Sequence, residues 1–269
     1  MSDLILFIDF MNYLHRCRVG ELDGEYVLVF NFFRNLRATI EQFQPAKIFI
    51  VLDGRPKHRY ELYAAYKANR IIKTASQIAN IDKVFASAEV IKQLLLHMPV
   101  ITLSHADFEA DDIISSMVEN IKEENIVVVS SDADYTQLLQ KGYENCYVYN
   151  PIKKNYLVAP EYNFLAYRCL AGDKSDNIPA LLKPKKALDT ILNPQLFQKF
   201  LLLEENRANF NINRQLIEFQ SVPEDDIIWQ EGQRNFQFLY DAFKQMKFET
   251  IVRSQAWDRY IKTFNCLKY

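Results

Sequence analysis

The chain has 269 residues, of which 49% are hydrophobic and 25% charged, and its formal net charge is −2. This length allows one sizeable core with a smaller appendage, so we expect one or two domains of an ordinary globular protein. The near-neutral charge excludes a globally basic nucleic-acid-binding field. The four cysteines form no CxxC pair, which argues against a zinc site and a disulfide framework. We identify no signal peptide and no apolar run of about 18 residues, so we expect a cytoplasmic protein without a membrane partner.

Short apolar runs alternate with amphipathic stretches, a pattern that predicts an α/β fold. Leu4–Phe10 and Lys47–Asp53 are too short for buried helices and are typical of strands buried on both faces. Glu25–Phe43, between them, carries apolar residues at helical spacing, so the three segments predict a right-handed parallel crossover. Further strands are predicted at Pro99–Leu103, Ile126–Val129 and Cys146–Asn150. Further helices are predicted at Ala75–His97, Glu109–Lys122, Tyr135–Gln140, Ala159–Gly172 and Lys185–Leu192.

The alternation of strands and helices stops near Pro160. After that point the pattern is helical and charged, with aromatic residues in the last third. We therefore expect an α/β domain over residues 1–160 and a smaller helical domain over residues 161–269. Gly172 suits the C-terminal cap of the first helix of that second domain.

Acidic residues follow several of the predicted strands. Asp9, Asp53 and Asp132 lie at the ends of apolar runs, where an open α/β sheet binds its ligands. Carboxylates this close repel one another unless cations lie among them, and oxygen ligands suit Mg²⁺ or Mn²⁺. The sequence therefore predicts a metal site, and two ions about 3.5–4 Å apart would clamp a scissile phosphate. Nine residues are candidates for it: Asp9, Asp53, Glu109, Asp111, Asp112, Asp132, Asp134, Asp173 and Asp176.

A simpler interpretation is that these acids cap helices and turns. Asp132 suits the cap of the helix that begins near Tyr135, and Asp176 suits its own turn. We favour the metal site, because so many acids at apolar strand ends and helix starts are more typical of a functional cluster than of separate caps.

A basic segment, RPKHRYELYAAYKANRIIK, spans Arg55–Lys73. It holds six Lys or Arg residues against the single acid Glu61, with three tyrosines between them. A solvated helix face and a surface that contacts phosphates and bases explain this composition equally well. An acidic crevice beside such a segment is expected of a phosphodiesterase that acts on nucleic acid.

Six ordered motifs resemble those of the 5′ nuclease (flap endonuclease) superfamily: FIDF, VLDG, YKANR, FEADDII, SSDADYTQLL and LAGDKSDNIP. They extend from Leu4 to about Leu192 and are most similar to bacteriophage members, 5′-3′ exonucleases of ribonuclease H type that remove RNA primers. The resemblance implies a PIN-like parallel sheet flanked by helices, with a helical arch over about residues 55–97. The domain after it would carry a helix–three-turn–helix-like motif, complete the metal site and contact duplex.

The resemblance also implies a reaction and roles for single residues. It implies a 5′-3′ exonuclease or structure-specific endonuclease with two Mg²⁺ ions, for which Mn²⁺ can substitute. Lys67 and Arg70 match the pair that contacts the scissile phosphate, and Tyr66 and Arg59 are expected to contact the substrate. The first metal centre would comprise Asp53, Glu109, Asp111, Asp112, Asp132 and Asp134, with Asp9 close by. The second would comprise Asp173 and Asp176 together with the shared Asp132 and Asp134.

The duplex-binding motif departs from the family pattern, which is GDKSDNIPG followed by G-x-G-x-K. Here the run is GDKSDNIPALLKPKKALDTIL, and no glycine follows Gly172 until Gly232. Glycines let backbone amides and carbonyls approach a phosphate or an ion closely. The resemblance therefore does not extend to a bound potassium ion and the usual grip on duplex. We expect phosphate contacts from three lysines instead, namely Lys183, Lys185 and Lys186.

Three other functions are weighed against this one. A PIN-type endoribonuclease ranks second, since it typically lacks the Asp173 and Asp176 pair and the basic arch. A haloacid-type phosphatase needs a second aspartate where Met11 stands. A branched-DNA-binding replication protein with an idle metal site has no use for nine carboxylates.

The resemblance implies nucleic-acid partners: a 5′ flap, a nicked duplex or an RNA–DNA hybrid. Replication proteins, such as a single-strand-binding protein, would be further partners. The chain is expected to be a monomer. If it is phage-encoded, it would act in the host cytoplasm.

Overall fold

The apolar runs form a seven-stranded mixed sheet in a computed structural model, which describes residues 3–18, 24–70 and 74–268. The strands are β1 Leu4–Asp9, β2 Lys47–Val51, β3 Ile101–Ser104, β4 Asn125–Val129, β5 Cys146–Asn150, β6 Asn155–Tyr156 and β7 Ile228–Glu231. Their order across the sheet is β6-β5-β4-β1-β2-β3-β7. The five central strands are parallel, whereas the edge strands β6 and β7 run antiparallel to their neighbours.

Helices cover both faces of this sheet. They are α1 Phe10–Arg16, α2 Val27–Phe43, α3 Lys57–Leu62, α4 Ala75–Leu95, α5 Ala110–Asn120, α6 Thr136–Gln140, α7 Phe164–Ala171, α8 Pro184–Leu192, α9 Pro194–Leu202, α10 Glu204–Ile217, α11 Phe236–Gln245, α12 Glu249–Val252 and α13 Ser254–Thr263. Short 3₁₀ turns occupy Ala68–Arg70, Ala133–Tyr135, Glu224–Asp226 and Phe264–Cys266. Within the described ranges, none of the helices combines the length and the apolar composition needed to cross a membrane.

The central strand β1 shows why its sequence is apolar throughout. Leu6 and Ile8 point into a core formed with α2, α4 and the last helices, whereas Ile5 and Phe7 point into a second core with α5. Both faces are buried, so the strand has no polar side to alternate with. The predicted α/β fold, a parallel sheet flanked by helices, is confirmed at these strands.

Some helix boundaries differ from the prediction. The helix α1, which the sequence did not predict, begins directly after β1. The helix α7 begins at Phe164 rather than near Ala159, because the Asn163 side chain accepts a bond from the Ala166 amide at 2.8 Å and caps it there. Its predicted end is confirmed, since Gly172 forms the cap with φ of 69°. Residues 71–73 of the predicted arch lie outside the described part of the chain.

The sequence predicted that the C-terminal residues belong to a helical domain that begins at residue 161. In the structure, the chain from β7 onward packs on the sheet instead. β7 pairs with β3 in the sheet, and α11 and α13 bury Phe243 and Tyr260 in the same core as α2. All four side chains of β7 are exposed, so the strand lacks the buried alternation by which a sequence reveals a strand. The helices α7–α10 form a separate apolar cluster, which also takes in Tyr66.

A close backbone contact at Gly54 brings the end of β2 against the loop before α5. The Gly54 amide donates to the Phe108 carbonyl at 2.8 Å, and the Ala110 amide donates to the Asp53 carboxylate at 3.0 Å. A Cβ at position 54 would lie 2.0 Å from the His105 carbonyl oxygen. Glycine at this position therefore allows the loops that carry Asp53 and Glu109 to meet.

We expect Gly54→Ala to lower the free energy of unfolding by on the order of 3 kcal/mol, because the new methyl group overlaps backbone that cannot move aside. Urea denaturation measures this loss. Gly142→Ala is the control, since its φ is 77° and no atom beyond the adjacent residues lies within 4 Å of its Cβ position. The control should cost about 1 kcal/mol of backbone strain. Equal losses in the two variants would contradict the steric explanation.

Candidate active site

A cleft of about 960 Å³ opens at the carboxyl ends of the central strands. Its walls carry eight of the nine predicted carboxylates, which are Asp9, Asp53, Glu109, Asp111, Asp132, Asp134, Asp173 and Asp176. Parallel pairing explains the gathering of the first of these. Asp9 pairs with Val51 across β1 and β2, so the residues that follow the strands emerge at one edge. The acids from the strand ends meet those from the loop after α7.

Several of these carboxylates also cap local structure, as the simpler interpretation held. Asp9 accepts a bond from the Asn12 amide at 3.1 Å, and Asp132 accepts one from the Asp134 amide at 2.9 Å. Asp173 accepts from both the amide and the hydroxyl of Ser175, each at 2.6 Å. In Asp132 and Asp173 only the Oδ1 atom accepts these bonds. Capping therefore orients the carboxylate and leaves Oδ2 for a different partner.

Asp112 lies behind the cleft rather than on its wall. One of its oxygens lies within 4.8 Å of oxygens of Glu109 and Asp111, yet the side chain is 0% exposed. Both oxygens accept from the Arg59 guanidinium at 2.8 Å, and one also accepts from the Gln220 amide at 2.8 Å. Asp112 is thus the buried counter-ion of an arginine, and its role as a metal ligand stays a prediction.

Arg59 is likewise in a different place from the substrate-binding surface that was predicted for it. Its side chain is buried, and beyond Asp112 it donates to Glu109 at 2.5 Å and to the Glu218 carbonyl at 3.4 Å. These bonds join α3 to α5 and to the end of α10. Three accepting groups hold the guanidinium inside the protein, and the predicted contact of Arg59 with a substrate stays a prediction.

Tyr66 also lies inside the protein, although the sequence placed it near the substrate. Its ring is 3% exposed and packs with the helices α7–α10, and its hydroxyl donates to Glu109 at 2.9 Å and to Asp176 at 3.3 Å. The tyrosine therefore connects two acids of the cleft from behind.

Lys67 and Arg70 lie on the cleft wall, as the sequence predicted for a phosphate-contacting pair. The Lys67 ammonium contacts Glu109 and lies 3.7 Å from Asp176, and the Arg70 guanidinium donates to Asp176 at 2.5 Å. The Lys67 amide donates to the Asp176 carbonyl at 2.8 Å, and Asn177 donates to the Ala65 carbonyl at 2.7 Å. The segment 65–70 is therefore bound along the acidic loop 173–177.

Arg168 is a cleft residue that the sequence prediction missed. It lies in the last turn of α7 and donates to Asp134 at 2.9 Å and also to Asp173. The available signal was its position four residues before Gly172, since a basic residue in the last turn faces the loop that follows the helix. That spacing is common in helices, so it did not distinguish this arginine.

Burial and mutual repulsion set the pKa values of the cleft carboxylates. Burial, and then the charge of Asp53, raises the pKa of Asp9 well above its usual range. Burial together with Asp132 raises the pKa of Asp134 to about 6. Burial alone would also raise the pKa of Glu109, but Lys67 and Arg59 outweigh it and lower that pKa. Lys67 and Arg59 therefore favour the charged form of Glu109, whereas burial and neighbouring carboxylates oppose the charged forms of Asp9 and Asp134.

The three predicted duplex-binding lysines lie outside the cleft. Lys183, Lys185 and Lys186 are exposed at the start of α8, where the amides of Leu181 and Leu182 both donate to the Leu170 carbonyl. The helix α4 contributes apolar side chains to the lining of the cleft, namely Ile81, Val84 and the half-exposed Phe85.

This chain is similar to several known proteins. The family model described as "5′-3′ exonuclease, N-terminal resolvase-like domain" matches residues 4–165, more than half of the chain. The 5′-3′ exonuclease of Buchnera aphidicola is 31% identical over 68% of this chain and 61% of its own length. DNA polymerase I of Treponema pallidum is 29% identical over 59% of this chain and 17% of its own length. The chain thus spans less than two thirds of these relatives.

The solved structures include the flap endonuclease of bacteriophage T5 in complex with DNA and metal ions. Its TM-score is 0.65 at 16% sequence identity, and the match covers 97% of both chains. At this identity the likeness shows a common fold, which here extends through the C-terminal helices.

We expect Arg59→Met to lower the free energy of unfolding by about 3–5 kcal/mol, because it leaves Asp112 charged and buried without its partner. Urea denaturation at neutral pH measures the change. Lys57→Met is the control on the same helix, since the Lys57–Glu61 pair is exposed and its atoms are 3.9 Å apart. Its removal should cost less than about 1 kcal/mol.

The double variant Arg59→Met/Asp112→Asn distinguishes the lost charge partner from lost packing. It should be more stable than Arg59→Met alone, because the unpaired charge is gone. A double variant that is less stable by the sum of the two single losses would contradict this explanation.

Proposed function

This chain belongs to the 5′-3′ exonuclease family, and from that premise we propose that it is a metal-dependent 5′ nuclease that hydrolyses phosphodiester bonds in nucleic acid. The resemblance of its motifs to the 5′ nuclease superfamily is thereby confirmed. The substrates we propose are branched or nicked duplex DNA and RNA–DNA hybrids. The products would carry 5′-phosphate and 3′-hydroxyl ends.

The observation that carries the proposal is the gathering of eight carboxylates on one cleft. Their donor atoms are all oxygens, which suits hard divalent cations such as Mg²⁺, with Mn²⁺ as a substitute. The raised pKa values of Asp9 and Asp134 express the same need for positive charge. We propose two ions held by these eight residues, with Asp132 and Asp134 as ligands of both ions. Asp112 is not included among the ligands, because Arg59 occupies both of its oxygens. When bound, such ions supply the charge that activates water and stabilises the leaving oxygen.

The basic residues of the cleft supply the second requirement of phosphodiester hydrolysis. Lys67 and Arg70 line the same walls as the acids, so their cations would contact the scissile phosphate and stabilise its developing charge. In the structure without nucleic acid, the ion pairs of Lys67 with Glu109 and of Arg70 with Asp176 hold these cations at the cleft. Lys183, Lys185 and Lys186, exposed outside the cleft, would bind duplex phosphates without reading sequence.

A cleavage assay with three labelled substrates tests the proposed function. A 5′ flap, a nicked duplex and an RNA–DNA hybrid are incubated with the protein in Mg²⁺ and, in parallel, in EDTA. We expect cutting that requires the divalent ion and is lost in Asp132→Asn, while that variant still retains the branched substrate in a gel-shift assay. If the wild type cuts none of these substrates in Mg²⁺ or Mn²⁺, the nuclease proposal is wrong and a nucleic-acid-binding protein is the function that remains. Single-stranded RNA is the control substrate, and cutting restricted to it would instead indicate a PIN-type endoribonuclease.

Lys67→Ala should lower the single-turnover cleavage rate about 100-fold, because it removes a cation from the developing phosphate charge. Substrate affinity should change only a few-fold, since the remaining cations still bind the strand. Single-turnover kinetics and a binding titration separate the two quantities. Lys57→Ala, an exposed lysine of α3, is the matched control and should leave the rate unchanged. A loss of affinity at an unchanged rate would refute the role given to Lys67.

A further inference from the structure

Arg168 contacts two cleft carboxylates that come from separate parts of the chain. Its Nε donates to Asp134 Oδ1 at 2.9 Å, and one terminal nitrogen lies 3.4 Å from Asp134 Oδ2. The guanidinium therefore contacts both oxygens of this carboxylate. The same terminal nitrogen donates to Asp173 Oδ2. The other one lies 3.5 Å from the Gly172 carbonyl, at the end of its own helix. Arg168 thus joins the turn after β4 to the loop after α7.

The two carboxylates would not stay together without such a bridge. Asp134 follows the fourth strand and Asp173 follows the seventh helix. Both contact the same guanidinium, and two carboxylates this near to one another repel. Asp173 is held from both sides, by Ser175 at Oδ1 and by Arg168 at Oδ2. A planar guanidinium fits this task, because its donors are fixed relative to one another and can address two carboxylates at once.

The charge of Arg168 is secure in this place. An arginine guanidinium keeps its proton in a folded protein. The side chain is only 22% exposed, so bulk water does not screen the bridge as it screens a surface pair.

We propose that Arg168 is a positioning residue of the metal centre, which orients Asp134 and Asp173 toward a common ion. The inference rests on the proposed function and adds a residue to it. Groups that hydrogen-bond to ligating side chains fix ligand direction, and their removal weakens metal binding about 10–100-fold. A mere counter-ion would act in the opposite direction, because removing a positive charge beside two ligands would strengthen the binding of a cation.

Calorimetric titration of Mn²⁺ into the protein without nucleic acid tests the proposal. We expect Arg168→Met to weaken the binding of one ion about tenfold or more, because the apolar chain fills the space without holding either carboxylate. Arg168→Lys should lie between the wild type and Arg168→Met, since an ammonium keeps the charge but not the two-armed geometry. Arg214→Met is the control, because Arg214 forms an exposed pair with Glu218 at 2.9 Å in the same helical region.

The outcomes separate the inference from the proposed function. A wild type that binds no divalent ion overturns both. A wild type that binds ions while Arg168→Met binds them equally or more tightly overturns the positioning role alone. Thermal melts in EDTA show whether each variant is folded. If Arg168→Met does not fold, Arg168→Lys decides, and affinity equal to or above that of the wild type would overturn the proposal.

Discussion

Electrostatic repulsion among the carboxylates of one cleft is the constraint on which the rest of the structure depends. Eight acids line the carboxyl ends of the central strands, and no fold keeps so many like charges together without compensation. The protein compensates with its own cations. Lys67 contacts Glu109 and Asp176, and Arg168 contacts Asp134 and Asp173. Each cation thereby ties a segment that follows the sheet to the loop that follows α7.

Pairing of carboxylates with internal cations has a structural result at Arg59, behind the cleft. Arg59 and Asp112 form a buried ion pair in which both oxygens of Asp112 accept hydrogen bonds from the guanidinium, so it joins α3 to α5 as part of the protein interior. In the cleft, by contrast, carboxylate oxygens face an open volume and Asp9 and Asp134 have raised pKa values. Burial against a directly paired opposite charge produces a structural ion pair. Partial burial with an incomplete set of partners produces a site that attracts cations.

Sequence reasoning was accurate where a pattern depends on neighbours in the chain. The strands β1, β2 and β4 are continuous apolar runs, because both faces of a parallel strand are buried, and their length separates them from helices. Gly172 caps the end of α7 within its own turn, as predicted, whereas the cap that Asn163 forms at the start of this helix was not predicted. β7 escaped prediction because its four side chains are all exposed, so it is a strand only by virtue of its pairing with β3.

The sequence by itself determined the α/β fold, the acids at the strand ends and the family, since apolar periodicity and motif spacing are local properties of the chain. The tertiary structure alone decided which side of each residue faces the cleft. Glu109 and Asp112 are three residues apart at the same helix start and both accept from Arg59, yet Glu109 lines the cleft and Asp112 does not. Tyr66 and Lys67 are adjacent, yet only the lysine reaches the cleft wall. Side-chain direction depends on the elements that pack around a residue, and those come from distant parts of the sequence, as Arg168 and Asp134 do.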